Sequence, residues 1–143
     1  MKLILPTLLG LLLLSGLIAG CAPTSAEHEL KMAPAKLLPA EIKTAPVSVR
    51  QAYQFAIANP EVLGEIPCYC GCLPAGHTSN YDCYVSSVDN TGIITFDFHS
   101  LGCSICVDIT QDAMRMLRDG KSVPEIKSYV DNTYSRYGPS NMP

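Results

Sequence analysis

The stretch Pro67 to Cys72 reads P-C-Y-C-G-C and constrains the fold more than any other part of the chain. Pro67 has a fixed φ and no backbone N–H, while Gly71 tolerates a positive φ, so a bent loop is expected here. A bent loop can turn the sulfurs of Cys68, Cys70 and Cys72 toward one point. Cysteines two residues apart do not easily bridge one another, so each would need a distant partner to form a disulfide. Downstream lie Cys83 and a C-x-x-C of Cys103 and Cys106, with His77 and His99 set between these groups. The array looks like a metal site or, failing that, a disulfide framework.

The N-terminus indicates where such thiols would work. Met1 to Gly20 carries one early cation, Lys2, then an apolar run from Leu8 to Leu14, then small residues. This is the pattern of a signal peptide, too short and too one-sidedly flanked for a stable span. Its end, Leu17-Ile18-Ala19-Gly20-Cys21, resembles a bacterial lipobox, and no A-x-A site competes with it. Cleavage before Cys21 and lipidation of Cys21 are expected, and several acyl chains on one residue make a firm membrane anchor. Residues 21–46, rich in Ala, Pro, Lys and Glu with no apolar period, are expected to form a flexible tether. That places the remainder at the bacterial cell membrane, on its extracytoplasmic face. His28, in the tether, reads as solvated.

Residues 47–139 are long enough for one small domain. Without Lys2 the chain is mildly acidic and has no basic patch, which argues against a nucleic-acid partner. It has no Trp and only three Phe, so its core should be modest. A small core outside the cytoplasm usually needs disulfides or a bound metal.

The periodicity predicts a mainly α domain: three helices, an irregular cysteine-rich lobe and room for one short hairpin. Ser48 is a fair N-cap for a helix from Val49 to Ala58, with Val49, Ala52, Tyr53, Ala56 and Ile57 on its apolar stripe and Asn59-Pro60 as its stop. Glu61 to Gly64 can add a turn. Cys68 to Ser79 should be irregular, followed by a short helical turn through Asp82 and Cys83. Asn90-Thr91-Gly92 is a turn signal inside Val85 to Phe98, which suits a hairpin. A strong helix should run from Cys103 to Arg118, with Cys103, Cys106, Thr110, Ala113 and Leu117 on one face and Gly120 at C′. Ser122 and Glu125 then make a capping box for a last helix carrying Val123, Ile126, Val130, Tyr134 and Tyr137 along one stripe. No internal repeat is present.

In the first turn of a helix, Cys103 and Cys106 would share a face, and the helix N-terminus favours thiolate. A lone C-x-x-C serves metal sites and redox proteins alike. Coupled to C-x-C-x-C, and with no βαβ pattern around it, it points away from a thioredoxin fold.

Taken together, these motifs resemble the bacterial lipoproteins known by a P-C-Y-C-G-C motif. The resemblance runs from Val49 to Tyr137. It includes Pro67 to Cys72, Gly76-His77, Asp82-Cys83, Asp97 with His99, Cys103, Cys106-Val107-Asp108-Ile109 and Gly120-Lys121-Ser122. The family commonly has Asn after the third Cys and Trp-Asp-Pro-His at the second His. This chain has Leu73 and Phe96-Asp97-Phe98-His99 instead. The resemblance implies an exported, membrane-anchored domain that binds heavy metal.

Three readings follow. The first is a metal-binding domain of the metallochaperone or sensing kind, since soft thiolates select Cu(I) and Zn(II). Zinc would take four ligands in a closed tetrahedron, whereas six sulfurs would permit more than one Cu(I). The candidate ligands are Cys68, Cys70, Cys72, Cys83, Cys103, Cys106, His77 and His99, with either His as a ligand or as a hydrogen-bonding neighbour and Asp97 available to orient His99 or to cap the loop. A metalloprotein or transporter would then be the partner. The second reading is a disulfide-stapled interaction module, for which six domain cysteines allow fifteen pairings. The third is a dithiol redox protein centred on Cys103 and Cys106. Met114 and Met116 read as core fillers. Glu61 and Glu65 read as surface groups, and no nucleophile–base–orienter set argues for an enzyme.

Overall fold

The computed structural model describes residues 28–142. The signal peptide, the lipobox and Cys21 lie outside the described residues. Five helices, mostly short, surround one short antiparallel hairpin and a cysteine-bearing loop region. In chain order they are α1 (Ala40–Lys43), α2 (Val47–Ala58), α3 (Pro60–Leu63), the strands β1 (Val85–Val88) and β2 (Ile94–Phe96), then α4 (Ser104–Arg118) and α5 (Val123–Tyr134). The three longer helices, α2, α4 and α5, stand where the periodicity predicted them.

The start of α2 differs from expectation. Its first intrahelical bond runs from Arg50 N–H to Pro46 C=O at 3.0 Å, two residues ahead of a Ser48 cap. Pro46 occupies the N-cap position and no side chain caps the helix. Proline ahead of a first turn is already fixed in φ and has no N–H to lose. Ala52, Tyr53 and Ala56 of the predicted stripe are buried, and so is Phe55, which lies off it.

The segment read as tether contributes to that burial, and here the expectation is corrected. Leu38 and Ile42 are 2 % and 0 % exposed, and α1 packs against α2. Gln54 and Ala33 bond one another twice, through Ala33 N–H to Gln54 C=O and through Gln54 Nε2 to Ala33 C=O. Asn59 Nδ2 donates to Lys31 C=O, and His28 N–H to Arg118 C=O. Pro34 and Pro39 each sit at the N-cap of a helical turn, so they start structure inside the segment expected to be a flexible tether. Burying Leu38 and Ile42 removes two aliphatic side chains from water, worth about 1.5–3 kcal/mol each. The domain therefore begins well before residue 47, and it also runs past residue 139, since Asn141 is buried.

α4 crosses both α2 and α5 and buries Ile109, Ala113, Met114 and Met116, with the two methionines in the core as expected. Its end is a Schellman motif. Lys121 N–H bonds Met116 C=O, Gly120 N–H bonds Leu117 C=O, and Gly120 takes φ +76°. In α5 the Glu125 carboxylate accepts both the N–H and the Oγ–H of Ser122 at 2.8 Å. Ile126, Val130 and Tyr134 face the core, while Tyr137, beyond the helix, is exposed.

The hairpin forms at the predicted turn. Asp89 Oδ1 accepts bonds from Thr91 N–H, Thr91 Oγ–H and Ile93 N–H, and β1 pairs with β2 in the register Val85↔Phe96, Val88↔Ile94 with one bulge.

Candidate metal centre

The P-C-Y-C-G-C stretch leaves α3 as a loop with Gly71 at φ +79°. Its position is fixed from far along the chain. Cys68 N–H donates to Asn141 Oδ1 at 2.6 Å, and Asn141 N–H returns a bond to Cys68 C=O. Asn141 Nδ2 lies within hydrogen-bond distance of His77 C=O, Ser79 C=O and Cys72 Sγ. The C-terminal tail passes so close to the loop that a Cβ on Gly138 would sit 3.1 Å from Tyr69 C=O. Farther along, the Asp82 carboxylate accepts Thr78 N–H and Ser79 N–H, which folds the next turn and sets Cys83 in a 3₁₀ helix.

The second group of thiols comes from the start of α4. Cys103 is the N-cap, in extended conformation, and Cys106 is one turn in. Cys103 thus lies just outside the helix that was expected to include it, yet its Sγ is 3.2 Å from that of Cys106. A buried polar network fixes this turn from below. Tyr84 Oη lies 2.8 Å from Cys106 C=O and 2.7 Å from Thr110 Oγ1, which donates to Asn80 Oδ1 at 2.7 Å. Asn80 Nδ2 donates to Cys106 C=O, and Ser100 Oγ to Cys83 C=O.

These supports bring all six cysteines and both histidines into one lobe. Cys68 Sγ is 3.4 Å from Cys70 Sγ and 3.4 Å from Cys106 Sγ, and Cys70 Sγ is 3.5 Å from Cys106 Sγ. His99 Nε2 is 3.4 Å from Cys70 Sγ, and Cys72 Sγ is 3.9 Å from Cys83 Sγ. Four donors on bonds of about 2.3 Å to a tetrahedral ion would be about 3.8 Å apart. The thiols of these six residues are free, and their separations are well beyond the roughly 2.05 Å of a disulfide. Three sets have all their donor atoms within 4.8 Å of one another: Cys70, His99, Cys103 and Cys106; Cys68, Cys72 and Cys83; and Cys72, His77 and His99.

Asp97 caps the loop at His99, one of the two parts expected of it, and reaches His77 as well. Its Oδ2 is 3.3 Å from His77 Nε2, while its Oδ1 accepts His99 N–H and so caps the turn that presents the second histidine. Tyr53 Oη donates to Asp97 C=O, which ties this acid to α2. With Nε2–H given to Asp97, Nδ1 of His77 is buried and has no hydrogen-bond partner among the described residues. A carboxylate on one ring nitrogen and a free lone pair on the other is the usual arrangement of a metal-binding histidine.

The electrostatics of the thiols agree with that chemistry. Hydrogen bonds from Cys106 and then Cys83 hold Cys68 well below the ordinary thiol range. Cys106 is pushed far up, chiefly because its thiol keeps its proton in the hydrogen bond to the Cys68 sulfur. Cys70 is pushed up by burial and by the charge on Cys68, and Cys72 by burial. The thiols cannot all ionise together, because a charge on Cys68 raises Cys70, Cys83 and Cys106. A cation at their centre would allow it, so the donor set fits a soft metal ion.

Asn141, Asn80, Tyr84 and Thr110 support the site and carry no sequence signal of doing so. No curated protein and no solved structure matches the chain. A family model matches residues 11–143, and the chain belongs to that family, described as proteins of unknown function with a PCYCGC motif.

Proposed function

We propose that this is an exported, lipid-anchored protein that binds a soft metal ion, Cu(I) or Zn(II), and passes it to or senses it for a metalloprotein or transporter at the membrane. The observation that carries the reading is the set Cys70, His99, Cys103 and Cys106, four soft or borderline donors within 4.8 Å of one another. Three sulfurs and one imidazole suit zinc in a closed tetrahedron and also suit Cu(I). Cys70, His99 and Cys103 are half-buried whereas Cys106 is buried, so the ion would be reached and handed over from one side. The anchor rests on the sequence Leu17 to Cys21 alone.

Metal analysis with thiol counting on protein purified anaerobically tests this reading. Bound Cu or Zn is expected, with thiols that resist alkylation until a chelator is added, and Cys70→Ser should lower metal content. A metal-free protein with intact disulfides, unfolded by reductant and indifferent to chelator, would overturn it in favour of the stapled module. A reversible two-electron couple confined to Cys103 and Cys106 would favour the redox protein. For the anchor, Cys21→Ser should release the protein from membranes or leave an unprocessed precursor. Normal processing with retention at the membrane would show that no lipid is attached there.

A further inference from the structure

Once Cys70, His99, Cys103 and Cys106 are assigned, the lobe still holds Cys68, Cys72, Cys83 and His77, between 0 % and 6 % exposed. A lone buried cysteine is an ordinary small apolar residue. Three that come from a bent loop and a separate 3₁₀ turn, with every Sγ within 4.8 Å of the others, are a converging donor set. Three sulfurs on bonds of about 2.3 Å to an ion in their plane would be about 4.0 Å apart. Cys72 and Cys83 are 3.9 Å apart. Zinc closes with four ligands, so a three-sulfur set better suits a monovalent soft ion. Beside it stands His77, whose buried Nδ1 has no partner and whose ring offers a nitrogen within 4.8 Å of Cys72 Sγ.

We propose that Cys68, Cys72 and Cys83 form a second, inner site for a monovalent soft cation of the Cu(I) class, so that the lobe is a two-ion thiolate cluster. Cys68 joins the halves, because its Sγ touches Cys70 and Cys106 of the outer set as well. The inner ion is sealed by burial and the outer ion lies at the half-exposed rim, so the outer one exchanges first. This rests on the metal-binding reading above.

Anaerobic titration of the full domain with Ag(I), a redox-silent monovalent soft cation, read by native mass spectrometry, tests it. The wild type should retain two ions. Cys83→Ser should retain one, and the double variant Cys70→Ser with Cys103→Ser should also retain one. Two ions still held by Cys83→Ser would overturn the assignment of ligands. A wild type that holds one ion, lost in both variants, would show a single site and leave metal binding intact. No silver at all would overturn metal binding itself. The wild-type count does not depend on any variant folding, and Cys72→Ala replaces Cys83→Ser if circular dichroism shows the latter unfolded.

Discussion

The helical part of the molecule and the cysteine lobe are held by different physics. Between α2, α4 and α5, fully buried apolar side chains such as Tyr53, Phe55, Ile109 and Ile126 do the work, with a Schellman end on α4 and a capped start on α5. The lobe, from Pro67 to Cys83 with the turn before α4, has long irregular backbone and few large side chains. It is held by polar contacts, two of them local, Asp82 to Ser79 and Asp97 to His99, and the rest from far along the chain, Asn141 to Cys68, Asp97 to His77, and Asn80 with Tyr84 to Cys106. A core of side chains is indifferent to ligands, whereas a lobe whose interior is sulfur depends on what the sulfurs bind. The helices should therefore persist without metal, and the lobe should loosen.

The largest effect should come from Ile109→Ala in the helical part. Removing a fully buried aliphatic side chain costs about 2–5 kcal/mol, and it should lower the melting temperature of metal-free and metal-loaded protein by similar amounts. A loss confined to the loaded form would break the division between the two regions.

Asn141→Ala should be the strongest single change in the lobe. It leaves Cys68 N–H buried and unpaired at a cost of about 1–3 kcal/mol. Hydrogen exchange should quicken from residue 67 to 79 and metal affinity should fall, with the amides of α5 unchanged. Equal acceleration in both regions would mean that the lobe is not a separate unit.

Ser122→Ala sharpens the comparison from the other side. Losing the N-cap of α5 should cost about 1 kcal/mol of stability and leave metal content as it was.

The smallest effect is a drift with pH. In the metal-free, reduced protein Cys70, Cys72, Cys83 and Cys106 titrate above an unfolded thiol, so the unfolded chain releases its protons first. Stability should fall as pH rises past about 8.5, the ordinary thiol value. Cys68, shifted down, acts the other way only below that value, where stability rises with pH until the unfolded thiol has ionised. Thermal melts above about pH 8.5 should show the decline without metal and no decline with it. A decline in both forms would argue that the thiols are not ligands.

The residues show which parts could be read from the chain. The helix from Ser122 was legible because its cap and its stripe are local, three and four residues apart. The hairpin was legible through Asn90 and Gly92, a local turn signal. The docking of Leu38 and Ile42 was not, because two apolar residues among prolines have no period until α2 is there to cover them. Asp97 was seen beside His99 in the sequence and acts on His77 as well, twenty residues away, a pairing that no spacing rule describes.

The sequence by itself determined the donors, since thiol and imidazole chemistry belongs to the residue type, and it determined the helices, since capping and periodicity act over one or two turns. Only the tertiary structure decided how those donors divide. Cys68 and Cys70 are neighbours in one loop, yet Cys68 is sealed within the inner group while Cys70 reaches the rim beside His99 and Cys103. Which way each sulfur faces depends on Asn141, seventy residues beyond, and on the network under Cys106. Contacts of that range are set by packing, and packing has no one-dimensional signature.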